Sequence, residues 1–413
     1  MVHPGEMLMN GIAHLVGAIT LVWSAAALTA VPAAKNDYLF VWATDVGAKK
    51  SDFLAVIDAD ASSLRYGEII ATAPTGVALS IAHHTEHEMP KGGVLFANGF
   101  GAGQTFLFDL HDPLHPKVTG SFLGAGDFMH PHSFAREPNG NVLATYQMRG
   151  HENAEPGALV ELSPEGKVLR VSAAADPKGE SFIRPYSLAI VPKLDRVVTT
   201  SADMHAKEVS HSVQVWRLSD LTLLKTVRLP TGPRGTEGDD PAEPRVLEDG
   251  RTVVVSTFNC GMFVLDDLAG NEPVAKLVHA LPMGECALPV VAGRYWVATD
   301  TSIPGLVSLD MSNPREPREV SRLVLGKGQQ PHWISLSPDG QRIVVSGGKE
   351  ALETRVLMVR IDRRTGKLAL DERFRDKGAT EAGVSFDRKS WPHGNTGRAL
   401  PHGAVFSQAG VGH

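Results

Sequence analysis

Histidines recur in this sequence at a fixed place. Pro131-His132, Pro331-His332 and Pro401-His402 each open an apolar run, and a His83-His84 pair opens another. His84 lies eight residues before Gly92, His132 eight before Gly140 and His332 eight before Gly340. Neutral imidazole is a common ligand for copper, zinc, iron and nickel. Several imidazoles brought together with a coordination position left open suit a catalytic metal better than a closed structural one. The candidate ligands are His84, His132, His332 and His402, joined by His83, His87, His130 and His393. Imidazole ligation beside Cys and Met129 is compatible with copper, which the affinity order of divalent ions also favours. Glu86 and Glu88, in HHTEHEMP (83–90), are the candidate proton carriers. That segment contains H-x-x-H, but it heads a strand and lacks the helix a zinc protease needs. GFGAGQT (99–105) lacks the Lys and the following helix of a phosphate-binding loop, and no G-x-S-x-G nucleophile turn occurs.

The elements that must position these residues are strands. From residue 37 on, short runs such as DYLFVWATD (37–45), GVLFANG (93–99), TVVVSTF (252–258) and RIVVSGG (342–348) are bounded by Gly, Pro, Asp or Asn. The runs repeat as a unit. PHSFAREPNGNVLAT (131–145), PAEPRVLEDGRTVVV (241–255) and PHWISLSPDGQRIVV (331–345) share an opening Pro, a Gly nine residues on and a following apolar strand. The spacing places seven unit heads at 84, 132, 186, 242, 285 or 286, 332 and 402. Four antiparallel strands per unit, arranged radially, make an all-β, seven-bladed β-propeller. Residues 37–75 offer three strands without a head, and LPHGAVFS (400–407) is a head with nothing after it. The carboxyl-terminal strand is therefore expected to complete the first blade and close the ring.

Each head starts an innermost strand that lines the central channel. Four of the seven heads are His, in four consecutive blades. Connections on the same face carry His83, His87, His130, His151, His205, Cys260 and His393. His130 and His132 share a face if the strand begins there. His111 and His115 fall at the opposite face, in solvent. Residues 376–400 form an irregular insert, whose length and Gly content permit either a lid over the site or a flexible loop.

Composition narrows the classes. The chain has 413 residues, 43% of them hydrophobic, a net charge of -6, 17 His and 2 Cys. The hydrophobic share excludes a disordered chain, and the mild acidity disfavours nucleic acid as a partner. Residues 11–34 carry no Asp, Glu, Lys or Arg and end in small residues, so 1–34 reads as a signal peptide, with an uncleaved membrane anchor as the alternative. Either places residues 35–413, a single propeller domain, outside the cytoplasm, periplasmic or secreted, with no membrane contact beyond the leader. There Cys260 and Cys286, on adjacent blades, are a disulfide, buried thiols, or residues with a redox or metal role.

The quoted segments resemble the selenium-binding protein family, whose members include the bacterial methanethiol oxidases. The resemblance runs over about residues 70–410, through HHTEHE (83–88), HPHSFAREPNGNVLATYQ (130–147), RPYSLAIVPKLDRVVTTSAD (184–203), SVQVWRLSDLTLLKTVRL (212–229), ISLSPDGQRIVVS (334–346) and ALPHGAVFS (399–407). It implies a seven-bladed propeller and, for the oxidases, copper-dependent cleavage of methanethiol with O2 to formaldehyde, hydrogen sulfide and hydrogen peroxide. It carries His83, His84, His132 and His402 over as matching positions. The chain departs from the family in lacking its Cys-rich stretch after the first His pair, in having Tyr186 where a His-containing segment stands, and in having TDTSIPG (299–305) where the family has Asn-Trp-Leu-His. The expected function is oxidation of a small thiol by O2 at a metal. The alternative is a non-catalytic propeller that binds selenium, a metal or a protein partner. A lactonase-like hydrolase would need a carboxylate-rich channel and ranks last.

Overall fold

The computed structural model describes residues 37–408 except 48–49, 151–154, 181–182, 206–207, 271, 283, 287, 327–328 and 348–353. The segment read as a leader lies outside the described residues. Among those described, no helix is long and apolar enough to cross a membrane.

Seven antiparallel sheets make the blades of a β-propeller. From the channel outward, blade one runs Ala399–Phe406, Tyr38–Asp45, Phe53–Asp58, Ile69–Pro74. The inner strands of blades two to seven are Ala82–Thr85, Phe128–Arg136, Pro185–Val191, Pro241–Val246, Pro289–Ala292 and Trp333–Leu336. Burial follows this layering. Middle strands are pressed between neighbouring blades and are buried at every position, as in Tyr295–Asp300 and Gly305–Asp310. That is why they read as continuous apolar runs. Outer strands such as Lys117–Leu123 alternate between exposed and half-buried, the ordinary pattern of a one-sided strand.

The ring closes as expected. The carboxyl-terminal strand pairs antiparallel with the first, with Leu39 opposite Phe406 and Asp45 opposite Ala399. The blades are also latched to each other. A polar side chain from a blade's second strand donates to the backbone carbonyl of the next blade's head residue. Asn98 Nδ2 reaches His132 at 3.0 Å, Thr145 Oγ1 reaches Tyr186 at 2.7 Å, Thr200 Oγ1 reaches Ala242 at 2.7 Å, and Ser346 Oγ reaches His402. These bonds satisfy buried carbonyls that the channel-lining strands leave without a ladder partner.

Two sequence expectations are corrected. The sixth inner strand begins at Pro289, so neither Glu285 nor Cys286 heads it. Its hairpin is tight, with Ala292 paired to Tyr295. In blade three, Glu137–Asn141 separates the paired Arg136 and Val142. Counting back eight residues from Gly293 therefore oversteps the strand. The 376–400 insert is neither a lid nor a loose loop. Val384–Ser385 pairs with the third strand of blade seven. Trp391 is buried with its ring 4.5 Å from Phe53 and 5.2 Å from Phe386. The insert thus joins the core between blades seven and one.

Candidate metal centre

The inner strands of blades one, two and three carry His402, His84 and His132, His332 immediately precedes the inner strand of blade seven, and all four are buried. His83 joins them by a local irregularity. Neighbours on a regular strand point to opposite faces, yet the His83 and His84 rings lie stacked 4.3 Å apart. Pairing between the first two strands of blade two slips between Ala82 and Thr85. A bulge of this kind re-aims a side chain, here turning both imidazoles to one side. Blade three slips in the same place, between Pro131 and Phe134.

The result is an arc of five rings. His132 lies 4.2 Å from His84 and 4.8 Å from His83, His83 lies 4.2 Å from His402, and His402 lies 5.0 Å from His332. His83, His84 and His132 each offer a ring nitrogen, and the three atoms fall within 4.8 Å of one another. His83 Nε2 and His132 Nε2 are 3.0 Å apart.

Hydrogen bonds fix what these atoms are. A carbonyl only accepts, so His132 Nδ1 donates to the Tyr186 carbonyl at 2.8 Å, and its Nε2 keeps the lone pair. His84 Nδ1 meets Ser133 Oγ at 3.0 Å. His84 Nε2 is buried with no hydrogen-bond partner among the described residues. Burial pushes the pKa of His132 down to about 3, with the Tyr186 carbonyl opposing it and His402 adding to it. Burial, then the neighbouring His132, His83 and His402, hold His84 well below its usual value. Both are therefore neutral at pH 7, the ligating form of imidazole. Metal–imidazole distances of about 2.0–2.1 Å put two nitrogens of one ion about 3 Å apart, which matches the His83–His132 spacing. The orphaned His84 Nε2 and the carbonyl behind His132 complete the arrangement of a ligand set with its outer support. The donor set fits a late first-row metal. All-imidazole ligation does not select among copper, zinc, iron and nickel.

No family model matches the chain. Over 352 residues it is 25% identical to a methanethiol oxidase of Hyphomicrobium sp., a span of 76% of each chain. The solved structure of a hypothetical selenium-binding protein from Sulfolobus tokodaii superposes with a TM-score of 0.72, at 15% identity, over 92% of this chain and 96% of that one. The chain resembles the selenium-binding protein family at a distance, in sequence through the oxidase and in fold through the selenium-binding protein. The periplasmic gluconolactonase of Pseudomonas aeruginosa shares the fold, with a TM-score of 0.62 at 14% identity over 90% of this chain and 99% of that one.

In this chain, the remaining candidates separate by position. His87 stacks on Trp333 at 4.5 Å, and its Nε2 accepts from Arg245 at 3.0 Å. Arg245 is itself held by the buried Glu243 at 2.6 Å. His87 thus belongs to a neighbouring ionic group in the channel. His130 adopts a left-handed φ of 55° and donates from Nδ1 to the Phe100 carbonyl at 3.1 Å. It does not share a face with His132, because the strand is irregular there. His393 meets Thr72 Oγ1 at 2.8 Å and the Phe53 ring at 4.7 Å, out on blade one. Its insert follows Trp391 into the core and so carries it away from the arc.

The two acids are also displaced. Both Glu86 oxygens are taken by Arg136, at 2.6 and 3.1 Å, and one also accepts from the Phe96 amide. Glu86 is a structural ion pair between blades, and Glu88 is exposed. The acid beside the arc is Glu285, whose Oε1 lies 3.8 Å from His332 Nδ1. Sequence spacing placed it at the right mouth but in the wrong element. Tyr186, whose ring lies 3.9 Å from His132, was visible only as a head that was not His. Cys260 and Cys286 are joined as a disulfide. His111 and His115 are exposed beside Asp109 and Asp112. His151 lies outside the described residues.

Proposed function

We propose that this protein is a metal-dependent oxidase of small thiols, with copper as the metal and methanethiol as the representative substrate. The observation that carries this reading is the convergence of three buried imidazoles, one with an orphaned Nε2. The similarity to a methanethiol oxidase supports the substrate class. His83, His84 and His132 would hold the ion, with His402 beside them. Copper there would bind thiolate and exchange electrons with O2. In the balanced reaction the thiol carbon loses two electrons, its C–S bond breaks and sulfur leaves as hydrogen sulfide. Water supplies the carbonyl oxygen, and O2 takes two electrons and two protons to become peroxide.

The chain's own groups prepare for this chemistry. The Tyr186 carbonyl holds the His132 ring in one tautomer. Phe100 lies 5.6 and 5.7 Å from the His83 and His132 rings, and Trp333 lies 4.8 Å from His84. These aromatic walls suit a methyl group and keep bulk water from the arc. The disulfide and the apolar 11–34 segment support a location outside the cytoplasm.

Metal content and thiol turnover measured on the same samples test the reading. Wild type reconstituted with copper should hold about one tight equivalent and form peroxide only when methanethiol and O2 are both present. His84→Ala and His132→Ala should lose the metal and the turnover together. Equal metal content in all three proteins would remove the site. Tight metal without turnover would leave a non-catalytic carrier.

A further inference from the structure

A second group of histidines stands on the far side of Phe100. The Phe100 ring lies 5.4 Å from His130 and 5.9 Å from His205, as well as beside His83 and His132. His130 and His205 meet edge to face with centroids 5.4 Å apart. Phe100 thus divides a buried tier of imidazoles from a shallower one, where the His205 side chain is 33% exposed.

Three features single out the shallow pair. First, His130 donates from Nδ1 to the Phe100 carbonyl at 3.1 Å. A carbonyl cannot donate, so in the neutral ring the proton sits on Nδ1 and the lone pair on Nε2. Second, His130 holds a φ of 55°, a conformation that side-chain-bearing residues rarely adopt. The ring there packs against His205. Third, His205 Nδ1 lies 3.8 Å from the carboxylate of Asp203, whose side chain is fully buried. Asp203 also accepts the His205 amide at 2.9 Å and the Glu208 amide at 3.4 Å. A carbonyl behind one imidazole is the usual outer support of a metal-ligating histidine, and a buried carboxylate within ion-pair reach of the next makes the pair more attractive to a cation.

We propose that His130 and His205 form a second metal site at the channel mouth, taking a divalent late first-row cation such as Cu²⁺ or Zn²⁺. Two imidazoles completed by water bind more weakly than the buried set, so the site captures the ion before it passes Phe100. The site stands by its own geometry. Only its role as a capture station rests on metal loading of the buried arc.

Equilibrium dialysis of the metal-free full-length protein against Cu²⁺ tests this, with metal counted by mass spectrometry. Wild type should bind one more equivalent than the His130→Asn/His205→Asn double variant, and bind it more weakly than the first. Asparagine tolerates the left-handed backbone, and the single variant His205→Asn at the exposed loop guards against misfolding of the double variant. The single variant should weaken the second equivalent at least tenfold. The double variant should also load its remaining tight equivalent from dilute Cu²⁺ at least tenfold more slowly. His84→Ala/His132→Ala should keep the weak equivalent. Equal stoichiometry in wild type and both Asn variants overturns the site, and equal loading rates overturn the capture role. Loss of the tight equivalent's turnover alone would count against the oxidase reading and leave this site standing.

Discussion

At the scale of single residues, ligands are legible in a sequence and their supports are not. His84, His132, His332 and His402 stand out because a repeated strand start repeats its residue type. Nothing in the residue types announces that the carbonyl of Tyr186 fixes His132, because a backbone atom has no sequence signature. Thr145 tests that support. Its hydroxyl shares the Tyr186 carbonyl with His132, at 2.7 Å against 2.8 Å. Thr145→Val keeps the shape and removes the latch, so metal affinity should fall about tenfold, the lower end of outer-support losses. A competitive chelator titration reads the change, with the melting temperature as control. Glu137 makes a separate prediction. Burial, then the charge of Glu161, pushes its carboxyl up to about 7. A carboxyl raised in the fold favours the protonated native state, so its contribution is present below pH 4.5 and lost as pH rises through 7. Glu137→Gln should therefore leave stability unchanged at pH 4 and raise it by on the order of 1 kcal/mol at pH 8. Thermal melts across that range would show a constant offset if the reasoning were wrong.

At the scale of elements, strands are legible and the irregularities that aim them are not. The Val-, Ile- and Phe-rich runs locate nearly every strand, because a strand buried on both faces has no polar face to interrupt it. Bulges leave no such trace. The slip between Ala82 and Thr85 turns His83 and His84 to the same side, and the slip in blade three separates His130 from His132. The two-residue hairpin of blade six is the same lesson in reverse, since a missing stretch of turn displaces a count made from its glycine. The connection before that strand is stapled instead. The Cys260–Cys286 disulfide closes a separation of 26 residues between blades five and six, beside Glu285 at the mouth. Chain-entropy arguments give such a loop roughly 3–4 kcal/mol. Cys260→Ser/Cys286→Ser should lower the melting temperature by several degrees. Reductant should reproduce the loss in wild type and leave the variant unmoved, which calorimetry with and without reductant reads directly.

At the scale of the whole molecule, the repeat turns a compositional excess of histidine into a place. Seven blades meet at one channel, and a residue type repeated on consecutive blades converges there whatever lies between in sequence. The blade count and the closure were legible because the chain's last strand has a head and no body. What the repeat could not convey is that closure and chemistry depend on one strand. Ala399–Phe406 pairs with Tyr38–Asp45, receives the latches from Ser335 and Ser346, and carries His402 between His83 and His332. Deleting residues 399–413 exposes the edge of Tyr38–Asp45, whose side chains are almost all buried, and leaves an unpaired hydrophobic edge prone to association. The truncated chain should lose its cooperative melt and its monodispersity by gel filtration. His402→Ala separates the two roles, because it leaves the backbone pairing intact. It should melt within a few degrees of wild type while binding metal more weakly. A cooperative, monodisperse truncation would mean that six complete blades and an open seventh hold the ring without the strand that closes it.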